Sequence, residues 1–120
     1  MNDTPGDRLD FSRPLEDQIL ERVRKLKAVS LAEVLRWGGE EGRGHTAVEV
    51  EPNAILMTGF SERLAEAVVG LVRSKRVKVR GCSVLIYAID GLMLNLPVRK
   101  RIPRKAPSKP VWIPAVLDPA

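Results

Sequence analysis

The stretch from Ser61 to Leu96 contains the order of elements that most constrains the fold of this chain. Ser61 can cap a helix that runs to about Lys75, because Leu, Ala and Val recur in it at helical spacing. A short strand of alternating Val and basic residues follows, and after it comes an apolar, β-rich run that Asp90-Gly91 divides. Because Asp-Gly is a strong two-residue hairpin signal, this stretch predicts a helix followed by a three-stranded antiparallel meander.

Two further helices and a strand are predicted ahead of this stretch. Apolar residues recur at helical spacing over residues 14–28, and a proline occupies the first position. A second helix begins at the capping box Ser30-Leu-Ala-Glu33 and ends at Gly38-Gly39. Residues 46–51 alternate apolar and charged side chains, which predicts a short strand.

The domain boundaries follow from composition. Residues 1–13 are polar and predict a flexible N-terminal arm, so that residues 14–96 form one small α+β domain. The glycine-rich residues 38–45 lack the terminal lysine and hydroxyl residue of a phosphate-binding loop, and we expect a mobile linker there. Residues 97–120 hold six of the nine prolines, which predicts a basic, extended C-terminal tail.

The last part of this tail is too apolar to remain in water. Trp112 and Ile113 lie within an apolar run from Val111 to Leu117. Packing against the rest of the chain is the favoured interpretation, and insertion into a partner protein through Trp112 and Ile113 is the alternative.

Charge divides the chain into two halves. Residues 1–60 hold 8 Lys and Arg against 11 Asp and Glu, whereas residues 61–120 hold 12 against 4. Clustered cations release counterions from nucleic acid, so a polyanion is the first partner to consider. The candidate nucleic-acid contacts are Arg63, Arg73, Lys75, Arg76, Lys78 and Arg80 on the predicted helix and strand, with Arg99, Lys100, Arg101, Arg104 and Lys105 in the tail.

In its general plan, this order of elements resembles a winged-helix DNA-binding domain, a variant of the helix-turn-helix class. Two alignments are open: residues 30–35 are the second helix with an inserted loop after it, or residues 53–58 are that helix. Both make residues 61–75 the recognition helix. The resemblance implies that this helix enters a groove of duplex DNA while the later cations and the tail contact phosphates.

Two features depart from the winged-helix pattern. Glu62 and Glu66 lie on the exposed face of the predicted recognition helix, where carboxylates disfavour the phosphate backbone. The predicted wing, residues 81–83, is short and carries no charge.

Nothing in the sequence indicates catalysis or a cofactor. His45 is isolated, Cys82 is the single cysteine, and no nucleophile or metal-ligand pattern accompanies them. The chain has no apolar run long enough to span a bilayer and no secretory leader, which predicts a cytoplasmic protein without a membrane partner.

The favoured function is therefore a non-enzymatic nucleic-acid-binding protein, with duplex DNA ahead of RNA. A small transcription regulator or a chromosome-associated factor is the expected setting, and a homodimer through the apolar hairpin or the first helix is compatible with it. The alternative is a protein-interaction module or accessory subunit of a larger complex, including an RNA-binding accessory protein. In that case the tail contacts a protein partner.

Overall fold

Four α-helices and six β-strands alternate over residues 8–120, the part of the chain that the computed structural model describes. The helices are α1 (Leu15–Leu26), α2 (Leu31–Gly38), α3 (Glu62–Arg73) and α4 (Leu85–Ile89). The strands are β1 (Val29–Ser30), β2 (Arg43–Glu51), β3 (Ala54–Phe60), β4 (Val77–Gly81), β5 (Val111–Trp112) and β6 (Ala115–Pro119). The predicted α+β class is confirmed.

The first three helices and strand β4 lie where the sequence predicts them. Ser30 caps α2, with its hydroxyl oxygen accepting a hydrogen bond from the Glu33 N–H at 3.1 Å. Ser61 caps α3 in the same way through the Leu64 N–H at 3.2 Å. Side-chain caps of this kind satisfy an N–H group that the helix itself leaves without a partner.

The strands form two three-stranded sheets. In the first, the order is β1-β6-β4 and all neighbours are antiparallel, so that Leu117 lies between Val29 and Val79. In the second, β2 and β3 form an antiparallel hairpin through Pro52 and Asn53, and β5 pairs with β3 in parallel. The predicted strand over residues 46–51 is part of β2.

Helices and sheets enclose one core of Leu, Val, Ile and Ala side chains. Helix α3 packs its apolar stripe against α1 and β2. The largest fully buried side chains are Trp112, Tyr87 and Phe60. Among the described residues, no helix has the length and apolar character needed to cross a membrane.

The predicted mobile linker over residues 38–45 is wrong. Gly38 belongs to α2, Gly39–Gly42 form one 3-10 turn, and the following residues begin β2. A Cβ atom at Gly38 or Gly42 would lie 2.9 Å from the Leu64 Cδ2 atom. The glycines therefore allow α3 to approach this turn closely, which is a packing role and not a flexible one.

The predicted hairpin over residues 84–96 is also wrong, and with it the three-stranded meander. Residues 85–89 form α4, and Asp90-Gly91 ends this helix. The N–H groups of Gly91 and Leu92 donate to the carbonyl oxygens of Ala88 and Tyr87, and Gly91 has a positive φ of 70°. This is a Schellman cap, which uses glycine in the left-handed region much as a hairpin turn does.

Three further expectations are corrected, two by the positions of the strands and one by the burial of Leu9. Residues 53–58 fall largely in β3, so they are not the second helix of a helix-turn-helix. Residues 111–119, predicted as part of the tail, contribute β5 and β6. In the predicted N-terminal arm, residues 1–7 lie outside the described part, but Leu9 is buried and its N–H donates to the Trp37 carbonyl oxygen at 2.8 Å.

Candidate nucleic-acid interface

Helix α3, the predicted recognition helix, leaves only a narrow polar stripe exposed. Because α1 and β2 pack against it, its exposed residues are Glu62, Arg63, Glu66 and Arg73. Two of these four are carboxylates, which repel the phosphates of a duplex. The four charges sum to zero, so the exposed stripe has no net positive charge with which to attract a groove of DNA.

Arg63 is engaged by contacts within the chain. Its guanidinium donates hydrogen bonds to the carbonyl oxygens of Phe11 and Arg13, the second at 3.2 Å. It also lies 5.4 Å from the centroid of the Phe11 ring, within range of a cation–π contact. Arg63 thus connects the segment before α1 to α3. In this structure its guanidinium is occupied by these contacts and is not free to bind a base or a phosphate.

Arg76 and Arg80 are paired with carboxylates of the same chain. Arg76 forms an ion pair with Glu16 of α1 and donates to the Ser74 hydroxyl at 3.0 Å. Arg80 donates to both carboxylate oxygens of Asp118, at 2.6 and 3.3 Å. These hydrogen bonds hold the pKa of Asp118 below its usual value. A phosphate could engage either arginine only by displacing its carboxylate partner.

The other predicted cations are exposed, and within the described part of the chain their side chains make no hydrogen bond or ion pair. They are Arg73, Lys75, Lys78, Arg99, Lys100, Arg101, Arg104 and Lys105. Lys78 and Arg80 alternate with more buried valines on β4, so the prediction that they share one face of the strand is confirmed.

Residues 99–109, named the basic loop below, form the densest group of cations without a side-chain partner. Six cations and no carboxylate occur in it, and all six side chains are exposed. They are Arg99, Lys100, Arg101, Arg104, Lys105 and Lys109. The sequence predicted the first five as nucleic-acid contacts, and Lys109 lies on the same loop.

The basic loop is anchored to the fold at three points. At its start, the Arg99 N–H donates to the Trp112 carbonyl oxygen at 2.9 Å. Further on, the Asn53 side-chain amide donates to the Pro107 carbonyl oxygen at 2.9 Å. Between them, the backbone of Lys100 passes so close to Gly81 that a Cβ atom there would overlap the Lys100 carbonyl oxygen. Its backbone is thus held against both sheets.

A groove of about 710 Å³ separates the start of the basic loop from the end of β4. Its lining consists of Gly81, Cys82, Ser83 and Val84 on one side and Val98, Arg99 and Lys100 on the other. Burial raises the pKa of the Cys82 thiol, although the nearby Arg80 partly opposes this shift. The lining of the groove thus combines the apolar residues Val84 and Val98 with the basic residues Arg99 and Lys100.

Trp112 and Ile113 do not form an exposed interface, and the predicted partner contact through them is wrong. Both side chains are fully buried. The Trp112 indole N–H donates to the Leu56 carbonyl oxygen at 3.0 Å, and its ring meets the Tyr87 ring edge-on with centroids 5.6 Å apart. The favoured interpretation of this segment, packing within the chain, is confirmed.

The exposed apolar surface lies on another segment. In the described part of the chain, every exposed large aliphatic side chain except Leu26 falls between residues 85 and 102. These side chains are Leu85, Ile86, Ile89, Met93, Val98 and Ile102. The apolar run in the sequence was the signal for this surface, but the prediction placed it on a hairpin, whereas the structure places its first part on α4.

No site for a metal ion is formed by His, Cys, Asp and Glu side chains within residues 8–120, and His45 is exposed on β2. In comparisons with known proteins, the chain matches no protein-family model, no curated protein and no solved structure. The functional argument therefore depends on the chain's own charges and contacts.

Proposed function

We propose that this protein binds nucleic acid, with duplex DNA favoured over RNA, through the basic loop. The observation that carries the proposal is the combination of six exposed, unpaired cations with a backbone held at three points. A fixed backbone presents these charges to phosphates without the ordering cost that a free tail has on binding. Counterion release then supplies the affinity.

We further propose that the fold is a variant of the winged helix. The order α3, β4, intervening segment and β6 supports this, because β6 pairs antiparallel with β4 as the strands on either side of a wing do. Helix α2 takes the place of the second helix, and the β2–β3 hairpin is the insertion before the third. In this arrangement the wing is the long segment 82–114, which includes the basic loop.

The charges favour the wing over α3 as the contacting element. On α3 the two exposed glutamates oppose phosphate binding and Arg63 is engaged elsewhere. The basic loop has no carboxylate, and its Lys100 backbone lies against β4, the strand that carries Lys78. Phosphate contacts position a protein on a duplex but carry no direct sequence information. Binding with little sequence preference, as in a non-enzymatic chromosome-associated factor, is the form of the proposal that these charges support.

The test is a titration of fluorescent duplex DNA, single-stranded DNA and RNA of mixed sequence at several salt concentrations. If each cation of the basic loop neutralises one phosphate, the logarithm of the binding constant falls against the logarithm of salt concentration with a slope of roughly −5. The variant Arg99→Ala/Lys100→Ala/Arg101→Ala reduces that slope by roughly one for each cation removed.

A matched control removes the same charge from another surface. Arg24→Ala/Lys25→Ala/Lys27→Ala changes three exposed cations at the end of α1 and leaves the basic loop intact. Its salt slope should stay near that of the unchanged protein. Equal weakening by the two triple variants would assign binding to net charge alone and contradict the proposal, and tighter binding to RNA than to duplex DNA would overturn the preferred ligand.

A further inference from the structure

Backbone hydrogen bonds hold both sides of the groove between the end of β4 and the start of the basic loop. On one side, the Cys82 N–H donates to the Pro114 carbonyl oxygen at 2.9 Å. On the other side, the Arg99 N–H donates to the Trp112 carbonyl oxygen at 2.9 Å. Trp112 belongs to β5, and Pro114 directly precedes β6. Both sides are therefore attached to the same pair of strands, and a ligand would need little rearrangement of the backbone to bind between them.

The charge of this groove favours an anion. Arg99 and Lys100 contribute to its lining, and their side chains make no hydrogen bond or ion pair within residues 8–120. No carboxylate belongs to the lining among these described residues. The Cys82 thiol stays uncharged at neutral pH, because burial raises its pKa above the ordinary value. Two cations are thus available to an anion, and no negative group of the lining opposes it.

The same groove also offers aliphatic contacts. Val98 is 47% exposed, and Val84, which directly precedes α4, is half-buried. A phosphate backbone would satisfy the two cations but would leave these valines in water, whereas an anion that carries an aliphatic chain would satisfy both. The volume of about 710 Å³ falls within the roughly 300–1,000 Å³ of small-molecule sites.

We propose that this groove binds a small amphiphilic anion, in which a carboxylate is joined to an aliphatic chain. The carboxylate lies at Arg99 and Lys100, and the chain lies against Val84 and Val98. Charge-assisted hydrogen bonds from Arg and Lys to a carboxylate are stronger than those between neutral groups. Burial of the aliphatic chain supplies the remaining attraction.

The proposal has a consequence for the basic loop. Arg99 and Lys100 are two of its six cations, so a ligand in the groove would compete with phosphates for them and weaken the binding of nucleic acid. This consequence rests on the proposed function, whereas binding of the ligand itself does not.

The experiment is isothermal titration calorimetry of the full chain at neutral pH, with octanoate as the probe. Acetate provides the carboxylate without the chain, and 1-octanol provides the chain without the charge. We expect saturable binding of one octanoate per chain, tighter than that of either matched ligand by about tenfold or more. Absence of octanoate binding would overturn the proposal. Equal affinity for octanoate and either matched ligand would do so too, because the site would then recognise only charge or only apolar surface.

Variants locate the binding in the groove. Arg99→Ala/Lys100→Ala should raise the dissociation constant of octanoate by about tenfold or more. The matched control, Arg104→Ala/Lys105→Ala, removes the same charge from the basic loop outside the groove and should leave that constant unchanged. Val98→Ser should weaken octanoate binding by about threefold, because it removes apolar contact. Circular dichroism verifies that each variant is folded. Equal effects of the two double variants would assign binding to the net charge of the loop and contradict the proposed site.

The two proposals fail separately. A chain that binds octanoate but not duplex DNA would contradict the proposed function and leave the ligand site supported. A chain that binds duplex DNA but not octanoate would have the opposite meaning.

Discussion

Two apolar segments of this chain differ in their exposure to solvent. Residues 111–117 are all buried, and they supply β5 and the first part of β6. Residues 85–93 form α4 and its cap, and there the large aliphatic side chains are exposed. The difference is one of partners: β6 pairs with a strand on each side, whereas Tyr87 is the one buried side chain of α4. Apolar composition therefore says little about burial unless the pairing partner is also known.

The largest expected effect comes from removing the central side chain of the buried segment. Trp112→Ala leaves a cavity and deprives the Leu56 carbonyl oxygen of its indole donor, and it should lower the free energy of unfolding by about 3–5 kcal/mol. Urea denaturation measures this as a shift of the midpoint. A loss below 1 kcal/mol would mean that the two segments do not differ in burial as described.

A smaller effect is expected from changing Tyr87, the side chain that connects α4 to the buried segment. Tyr87→Phe keeps the ring against Trp112 but removes the hydroxyl that bridges the Leu31 N–H and the Ala115 carbonyl oxygen. Leaving these buried groups without a partner should cost about 1–3 kcal/mol. Hydrogen exchange of the Leu31 amide should also become faster. Unchanged stability and exchange would show that α4 is held by packing alone.

A still smaller effect concerns the end of the buried segment, where Asp118 accepts hydrogen bonds from Arg80 and from the Ala28 N–H. These contacts lower the pKa of Asp118 below its ordinary value of 3.8. The contribution of Asp118 is therefore complete above that value and disappears as the pH falls through the lowered pKa. Between roughly pH 5 and pH 2, the unchanged protein should lose more stability than Asp118→Asn does. Asp17→Asn, on the exposed side of α1, should behave like the unchanged protein.

The smallest effect is expected on the exposed segment. Ile89→Ser removes an aliphatic side chain that contributes little to the core, and it should change the free energy of unfolding of the monomer by less than about 0.5 kcal/mol. Urea denaturation measures this value. A loss comparable with that of Trp112→Ala would break the comparison between the two segments.

Local signals in the sequence were sufficient to predict the elements whose ends are determined by nearby residues. The capping residues Ser30 and Ser61 begin α2 and α3 as predicted, because a side-chain cap depends on residues three positions apart. The alternation over Val77 to Arg80 likewise predicts β4. These are the parts of the fold that short-range chemistry determines.

The remaining parts depend on contacts between distant residues. Asp90-Gly91 is compatible both with a hairpin turn and with the end of a helix. In the structure it ends α4, and the Tyr87 hydroxyl of that helix is hydrogen-bonded to Leu31 and Ala115, which are distant in sequence. The same limit applies to the candidate interface. The cluster of cations is visible in the sequence, but the acceptors that engage Arg63 and Arg80 are 50 and 38 residues away along the chain.

The position of β6 has a consequence for biosynthesis. This strand is the middle member of its sheet, yet it comes after the other two members, β1 and β4, in chain order. Neither β1 nor β4 can pair with β6 until residues 115–119 have been synthesised. During translation β1 and β4 therefore lack their strand partner until β6 has been made, and the first sheet forms only through contacts between residues far apart in the chain.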